Sequence, residues 1–320
     1  MPQFKTFGII SALLVLAAGG CTTGQQLTLP PPGGSPAPSS VVYVSSFNSP
    51  AMLAIISLPV TASSTPTYIT PTGLADPAEL RFDKLLNLWA ANDSVTSPAG
   101  VGYNRPLTNA SSPFASVNIP TPSAPDAIAF DASGNLWVAD GNLGKVYEFT
   151  GPFSGTTTPT PAVTLTGLNT PAGLAFDAAG NLYVANLGTS SVLIFNPPFT
   201  NGEAPTGSPI TGLTEPDGIA FDASANLYIA NFGGSIARKN APTAGGGAAE
   251  ITDTATTMLS PSDIALDASG NLYATDLQQS KLFVFPTATA AFSATLAPSV
   301  TLTLTGFGAA HASGVAVGPP

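Results

Sequence analysis

Oxygen-bearing side chains recur along this 320-residue chain at a steady interval. Asn92, Asp140, Asn186, Asn231 and Asp276 each end a string that begins Asn-Leu-Trp or Asn-Leu-Tyr, and Ser46 ends a degenerate version. Glu79, Asp126, Asp217 and Asp263 stand just ahead of the apolar run that precedes each string. Carboxylates and amides in this number are the hard oxygen donors that a Ca²⁺ takes. The same residue types also close turns by bonding their own backbone. The chain has one histidine, His311. A general base needs a titratable group within hydrogen-bond reach of its proton, and His311 would have to serve alone. Arg81 stands where the other copies place Ala129, Ala175, Ala220, Ala265 and Ala316. A guanidinium there either clamps a carboxylate or phosphate in a narrow channel, or pairs with Glu79 or Asp126 and plugs it.

Composition removes several classes. Lys plus Arg number 8 against 18 Asp plus Glu, a formal charge of -10. Nucleic acid demands a basic footprint, so it is not the partner, and electrostatic attraction to anionic lipid is missing too. A single Cys excludes a disulfide framework and a cysteine-based zinc cluster. No nucleophile elbow, phosphate loop, Glu-containing His pair or EF-hand loop appears. Gly245-Gly246-Gly247, after Arg238-Lys239, reads as a surface loop. Hydrophobic residues reach 44 %, so most of the chain is not disordered.

These residues must be positioned by a repeat. Pro125 to Asp140 reads PDAIAFDASGNLWVAD, followed by PAGLAFDAAGNLYVAN from Pro171, PDGIAFDASANLYIAN from Pro216 and PSDIALDASGNLYATD from Pro261. A degenerate copy, PAELRFDKLLNLWAAN, starts at Pro77. Anchored on Phe82, Phe130, Phe176, Phe221 and Leu266, the spacings are 48, 46, 45 and 45. Each copy alternates as a strand, turns at Asp-x-x-Gly-Asn and alternates again. A third run follows, as in Lys145 to Phe149, Ser191 to Phe195 and Lys281 to Phe285, and then a Thr-rich fourth, as in Ala162 to Thr166. Four short strands per unit of this length make a propeller blade. Val315 to Gly318 matches a first strand with no second, and Val41 to Ser46 matches a second with no first. The two are expected to share a blade. The expected fold is therefore all-β: a single six-bladed β-propeller of four-stranded blades over residues 41–320, closed by N-terminal strands pairing with the C-terminal inner strand.

In such a blade the link into the first strand and the loop after the second lie on one face. That face gathers the expected ligand-binding residues: Arg81, Asp126, Asp140, Asn186, Asp217, Asn231, Asp263, Asp276 and His311. Tyr43, Trp89, Trp137, Tyr183, Tyr228 and Tyr273 recur once per blade; they would make a sugar platform if exposed, but their strict recurrence within the second strand fits packing between blades.

The string Pro-x-Gly-Ile-Ala-Phe-Asp-x-x-Gly-Asn-Leu-Tyr-Val-Ala-Asp/Asn resembles the NHL repeat, and is similar to repeats of virginiamycin B lyase and of the senescence-marker/gluconolactonase propellers. The resemblance covers roughly residues 77–317 and implies fold more than activity. The gluconolactonase likeness implies a divalent metal, Ca²⁺ or another, with Glu79, Asn186, Asn231 and Asp276 as the comparable ligands, and a lactonase-like hydrolase as the alternative function. The lyase likeness implies His- and metal-assisted proton abstraction, for which this chain offers only His311.

Residues 1–20 read as an export signal, with Lys5 in the charged region and an apolar run from Phe7 to Ala18 too short for an ordinary span. Leu16-Ala17-Ala18-Gly19-Gly20-Cys21 resembles the lipobox of bacterial lipoproteins, which implies acylation of Cys21 after cleavage. Ala18 departs from the larger aliphatic usual there. Thr22 after the cysteine implies the outer membrane. Residues 22–40, rich in Pro, Gly, Ser and Thr, read as a tether. The expected function is that of an envelope-anchored, non-catalytic binding or scaffold propeller. It would need no cofactor, and its partner would be a protein, a peptide or a glycan.

Overall fold

The computed structural model describes residues 40–94, 98–119, 123, 125–242, 247–248, 250–251, 258–286, 297–308 and 311–319. The expected signal segment, Cys21 and the tether up to residue 39 lie outside the described residues.

Six sheets form a closed ring in which each inner strand packs on the inner strands of both neighbours. Blade 1 takes its inner strand, His311–Gly318, from the C-terminus, and then Val41–Phe47, Leu53–Ser57 and Thr67–Ile69 from the N-terminal end. Val42 stands opposite Val317 and Val44 opposite Val315, so the two ends of the described chain close one sheet. The inner and second strands that follow are Pro77–Phe82 and Leu88–Asn92 in blade 2, Pro125–Phe130 and Leu136–Asp140 in blade 3, Pro171–Phe176 and Leu182–Asn186 in blade 4. Blade 5 has Pro216–Phe221 and Leu227–Asn231, and blade 6 has Pro261–Leu266 and Leu272–Asp276.

The expectation of four strands per blade holds in four sheets and is exceeded in two. Gly155–Thr157 adds a parallel fifth strand to Ala115–Val117 of blade 2. Gly247–Ala248 does the same for Ile210–Thr211 of blade 4. Gly247, read above as loop, therefore belongs to a strand, while Gly245 and Gly246 lie outside the described residues. An outermost strand presents unpaired N–H and C=O groups, and these loop segments cover them.

The repeated hairpin turn is built on its aspartate. Asp131 accepts from the Asn135 backbone amide (2.9 Å), from the Asn135 side chain (2.9 Å) and from the Trp137 indole (3.3 Å). Asp83, Asp177, Asp222 and Asp267 make the same set with Asn87 and Trp89, Asn181 and Tyr183, Asn226 and Tyr228, and Asn271 and Tyr273. This explains why Asp, Asn and an aromatic keep their spacing in every copy. Blade 1 has no such hairpin, and there Tyr43 donates to the Pro319 carbonyl (3.4 Å).

All six recurring aromatics are at most 2 % exposed, which removes the sugar-platform reading. Three of them pack edge-on against a phenylalanine on the next blade's inner strand, Trp89 on Phe130, Trp137 on Phe176 and Tyr183 on Phe221. The Trp89 ring lies so close over Gly102 that a Cβ there would sit 2.5 Å from it. The core is accordingly a set of seams between blades. One seam, for example, joins Trp137, Val146 and Leu165 of blade 3 to Leu174, Val184 and Phe195 of blade 4.

Candidate functional site

Inner strands begin, and second strands end, on one face of the ring. The hairpin turns and Val41 lie on the opposite face, because Val41 pairs with Gly318 at the far end of its partner strand.

The strand-ending residues are fully or almost fully buried. Asn92, Asn186, Asn231 and Asp276 each accept from a backbone N–H seventeen residues upstream: Ala75 (3.1 Å), Asn169 (2.7 Å), Thr214 (3.3 Å) and Leu259 (2.6 Å). Asp140 accepts instead from the Ser123 hydroxyl (2.5 Å) and the Leu143 amide (2.9 Å). These side chains fasten the link that carries the chain from one blade to the next. A buried amide left without an acceptor costs about 1–3 kcal/mol, which is reason enough for the recurrence.

Each inner strand of blades 2–6 starts with an irregularity in its pairing, as between Pro125 and Ala127 or Pro216 and Ile219. A bulge re-aims side chains, and here it turns the residues after the proline toward the axis. The ring is tight: a Cβ on Gly173 would lie 2.2 Å from the Asp217 carbonyl oxygen, and one on Gly218 would lie 2.6 Å from the Asp263 Cα. Ala127, Gly173, Gly218 and Gly314 fit at that register, and Glu79 and Asp263 are the two exceptions.

Those two exceptions hold Arg81. Its guanidinium donates to both Asp263 oxygens (3.1 and 3.2 Å), to Glu79 and to the Leu80 carbonyl (2.8 Å). Glu79 also accepts from the Ile128 amide (2.6 Å) in blade 3, and Asp263 from the Val315 amide (2.8 Å) in blade 1. The cluster therefore ties blades 1, 2, 3 and 6 across the axis. Burial pushes both carboxyls up, Glu79 strongly, and the guanidinium opposes that shift. Of the two partners read for Arg81 from sequence, the structure pairs it with Glu79; its other partner is Asp263 rather than Asp126.

Above this plug a cavity of about 160 Å³ opens on the polar face. Glu79, Asp126, Asp217 and Asp263 line its floor. Phe47, Leu187 and Leu277 line its rim, with Asp93 the charged exception. Each of these rim residues directly follows a strand-ending residue. Below the plug a second cavity, lined by Arg81, Phe82, Phe221, Leu266 and Val317, is apolar but for the guanidinium.

The floor carboxylates are of two kinds. Glu79 and Asp263 are bound to Arg81. Asp126 and Asp217 have no cationic partner among the described residues, and no hydrogen bond to the Asp217 carboxylate is found there either. Burial, then the charges of Asp93 and Asp140, push the Asp126 carboxyl up to about 8, against a lesser opposing bond from the Gly141 amide. Asp217 is raised well above its ordinary range by burial and by Asp126, Asp263 and Glu79, less the pull of Arg81. Asp93 is raised by burial, Asp76 and Asp140.

The structure thus brings Asp126, Asp217 and Asp263 to the cavity with Glu79. Arg81 faces the other cavity, and Asp140, Asn186, Asn231 and Asp276 are spent on the linkers. His311 is the first residue of the blade 1 inner strand, opposite Phe47, not part of the inbound loop; among the described residues its buried Nδ1 has no hydrogen-bond partner. The suggested metal set is not gathered. Of its four members only Glu79 lines the cavity, and the donors of the others are engaged. Among the described residues no three His, Cys, Asp or Glu side chains stand close enough to hold an ion. The rim residues Phe47, Asp93, Leu187 and Leu277 escaped the sequence reading; their signal was one position beyond each polar strand end.

No family model matches this chain, and no curated protein matches it. Solved structures do. A chain of a nidogen/laminin complex superposes with a TM-score of 0.61 at 15 % identity, over 87 % of this chain and 98 % of that one. A protein of unknown function from Bacteroides caccae gives 0.61 at 12 % identity, over 88 % and 99 %. A candidate 6-phosphogluconolactonase from Bacteroides uniformis gives 0.58 at 15 % identity, over 82 % of both chains. The chain is a β-propeller protein, of six blades, and at these identities the likenesses speak for the fold alone.

Proposed function

We propose that this protein is a non-catalytic binding or scaffold propeller of the cell envelope, held by a lipid on Cys21, that engages a protein, peptide or glycan through its polar face. The observation that carries the reading is the cavity at the mouth of the channel, with Asp126 and Asp217 in its floor free of any cationic partner among the described residues. Clefts of this kind, largely preformed and with a few convergent polar groups, are where ligands bind. Val41, at the start of the first described strand, lies on the face opposite the cavity. His311, the one candidate base read from sequence, does not line the cavity.

The test is capture from solubilised envelope with the full chain and with an Asp126→Asn/Asp217→Asn variant. The wild type is expected to retain a defined partner that the variant retains at least about tenfold more weakly. Equal retention by both proteins contradicts the reading.

A further inference from the structure

We infer that the second cavity, at the hairpin end of the channel, binds a neutral planar ligand: an aromatic ring that carries a carbonyl oxygen. This site is separate from the polar-face cavity and does not depend on the binding reading above.

The cavity measures about 220 Å³ and is lined by inner-strand residues of blades 1, 2, 5 and 6. It lies where those strands meet their hairpins: Phe82 pairs with Leu88, Phe221 with Leu227 and Leu266 with Leu272. Ala220, Ala265 and Ala316 keep it wide, because the repeat places an alanine at that position in every blade but one. The exception is Arg81, and every other side chain lining the cavity is a hydrocarbon. Concave, mostly apolar sites with a small number of placed polar groups are where small molecules bind.

Arg81 sets the polarity of the ligand. A guanidinium has five N–H donors. The Leu80 carbonyl, Glu79 and both Asp263 oxygens take the four on its terminal nitrogens. Among the described residues its Nε donates to nothing, so one N–H is left for a ligand. An incoming anion would meet Glu79 and Asp263 already in place. Even with Glu79 protonated, Asp263 cancels the guanidinium, and the plug has no positive charge to spare. A cation would meet a guanidinium and find no acceptor side chain on the hydrocarbon walls. The complement of this lining is a neutral molecule with one acceptor oxygen.

The same residue selects the shape. The Arg81 side chain is 19 % exposed although its fork is occupied, and it lines this cavity. Besides the Nε–H, such a guanidinium offers its flat face, on which aromatic rings stack. An alkyl ligand would fill the volume but gain nothing from that face.

The experiment is calorimetric titration of the full chain with acetophenone, a neutral aryl ketone. Benzoate, benzylammonium and cyclohexyl methyl ketone are the comparators, and they change the charge or the flatness. Acetophenone is expected to bind at least about tenfold more tightly than each of the three. Ala265→Leu, which fills the cavity, is expected to abolish that binding. A thermal melt of the variant no lower than wild type shows that the loss is not one of folding; should it melt lower, Ala220→Leu takes its place. No binding of acetophenone at millimolar concentration, equal binding of any comparator, or binding that survives the filled cavity overturns the inference.

Discussion

At the residue scale, two populations of oxygen-bearing side chain share one face and do different work. Of those ending the second strands, Asn92, Asn186, Asn231 and Asp276 accept from linker amides and Asp140 from the Ser123 hydroxyl, so each fastens its own link. Asn186→Ala is expected to cost about 1–3 kcal/mol, because the Asn169 amide loses its acceptor; urea unfolding measures it. The plug is more costly to break. Arg81→Ala strands two buried carboxylates, and a loss of about 3–5 kcal/mol is expected by the same measurement. Arg81→Met with Glu79→Gln and Asp263→Asn should recover part of it, since no charge is then stranded. Asp126 behaves oppositely. Its folded carboxyl titrates at about 8 against an ordinary 3.8, so the folded state holds a proton that the unfolded chain has released. That contribution to stability is complete below about pH 4 and is lost as pH rises through 8. Asp126→Asn is therefore expected to melt higher than wild type at pH 9, with the gap closing toward pH 4. A gap that widened on acidification would contradict the assignment.

At the element scale, the hairpin aspartate explains the repeat. Its two oxygens serve a turn amide, an asparagine side chain and the aromatic that seals the seam, so these three positions cannot drift apart. Asp267→Ala should cost about 1–3 kcal/mol by leaving the Asn271 amide and the Tyr273 hydroxyl without their acceptor. This is also why the blades were legible in the sequence: strand, turn and strand are written in local spacing. The site was less so. Asp126 and Asp217 stood out as carboxylates, but carboxylates on the linkers looked the same, because residue type does not say which way a bulge aims a side chain. Phe47, Leu187 and Leu277 were silent because an apolar residue after a strand reads as nothing in particular. Arg81 and Asp263 are 182 residues apart, and only ring closure makes them partners.

At the scale of the whole molecule, closure is the central structural fact. Val41–Phe47 and His311–Gly318 form one sheet from opposite ends of the described chain, so neither edge of that blade frays alone. Deleting residues 308–320 removes the inner strand of blade 1 together with the Val315 amide that Asp263 accepts from. Loss of a single cooperative unfolding transition is expected, read by calorimetry; a truncated protein that melts like the full one would refute the shared blade. Closure also sets the two faces apart. One carries the hairpins and Val41, and the other carries the carboxylate floor and its apolar rim.

The claim that the polar face is the working face is tested most directly by photo-crosslinking in the cell. A benzophenone side chain would replace Leu187 on the rim in one version of the full chain and exposed Ser133, on a hairpin of the opposite face, in another. The account predicts a discrete adduct from position 187, suppressed by Asp126→Asn/Asp217→Asn, and none from position 133. Adducts from position 133 alone, or a 187 adduct indifferent to those two carboxylates, would contradict it.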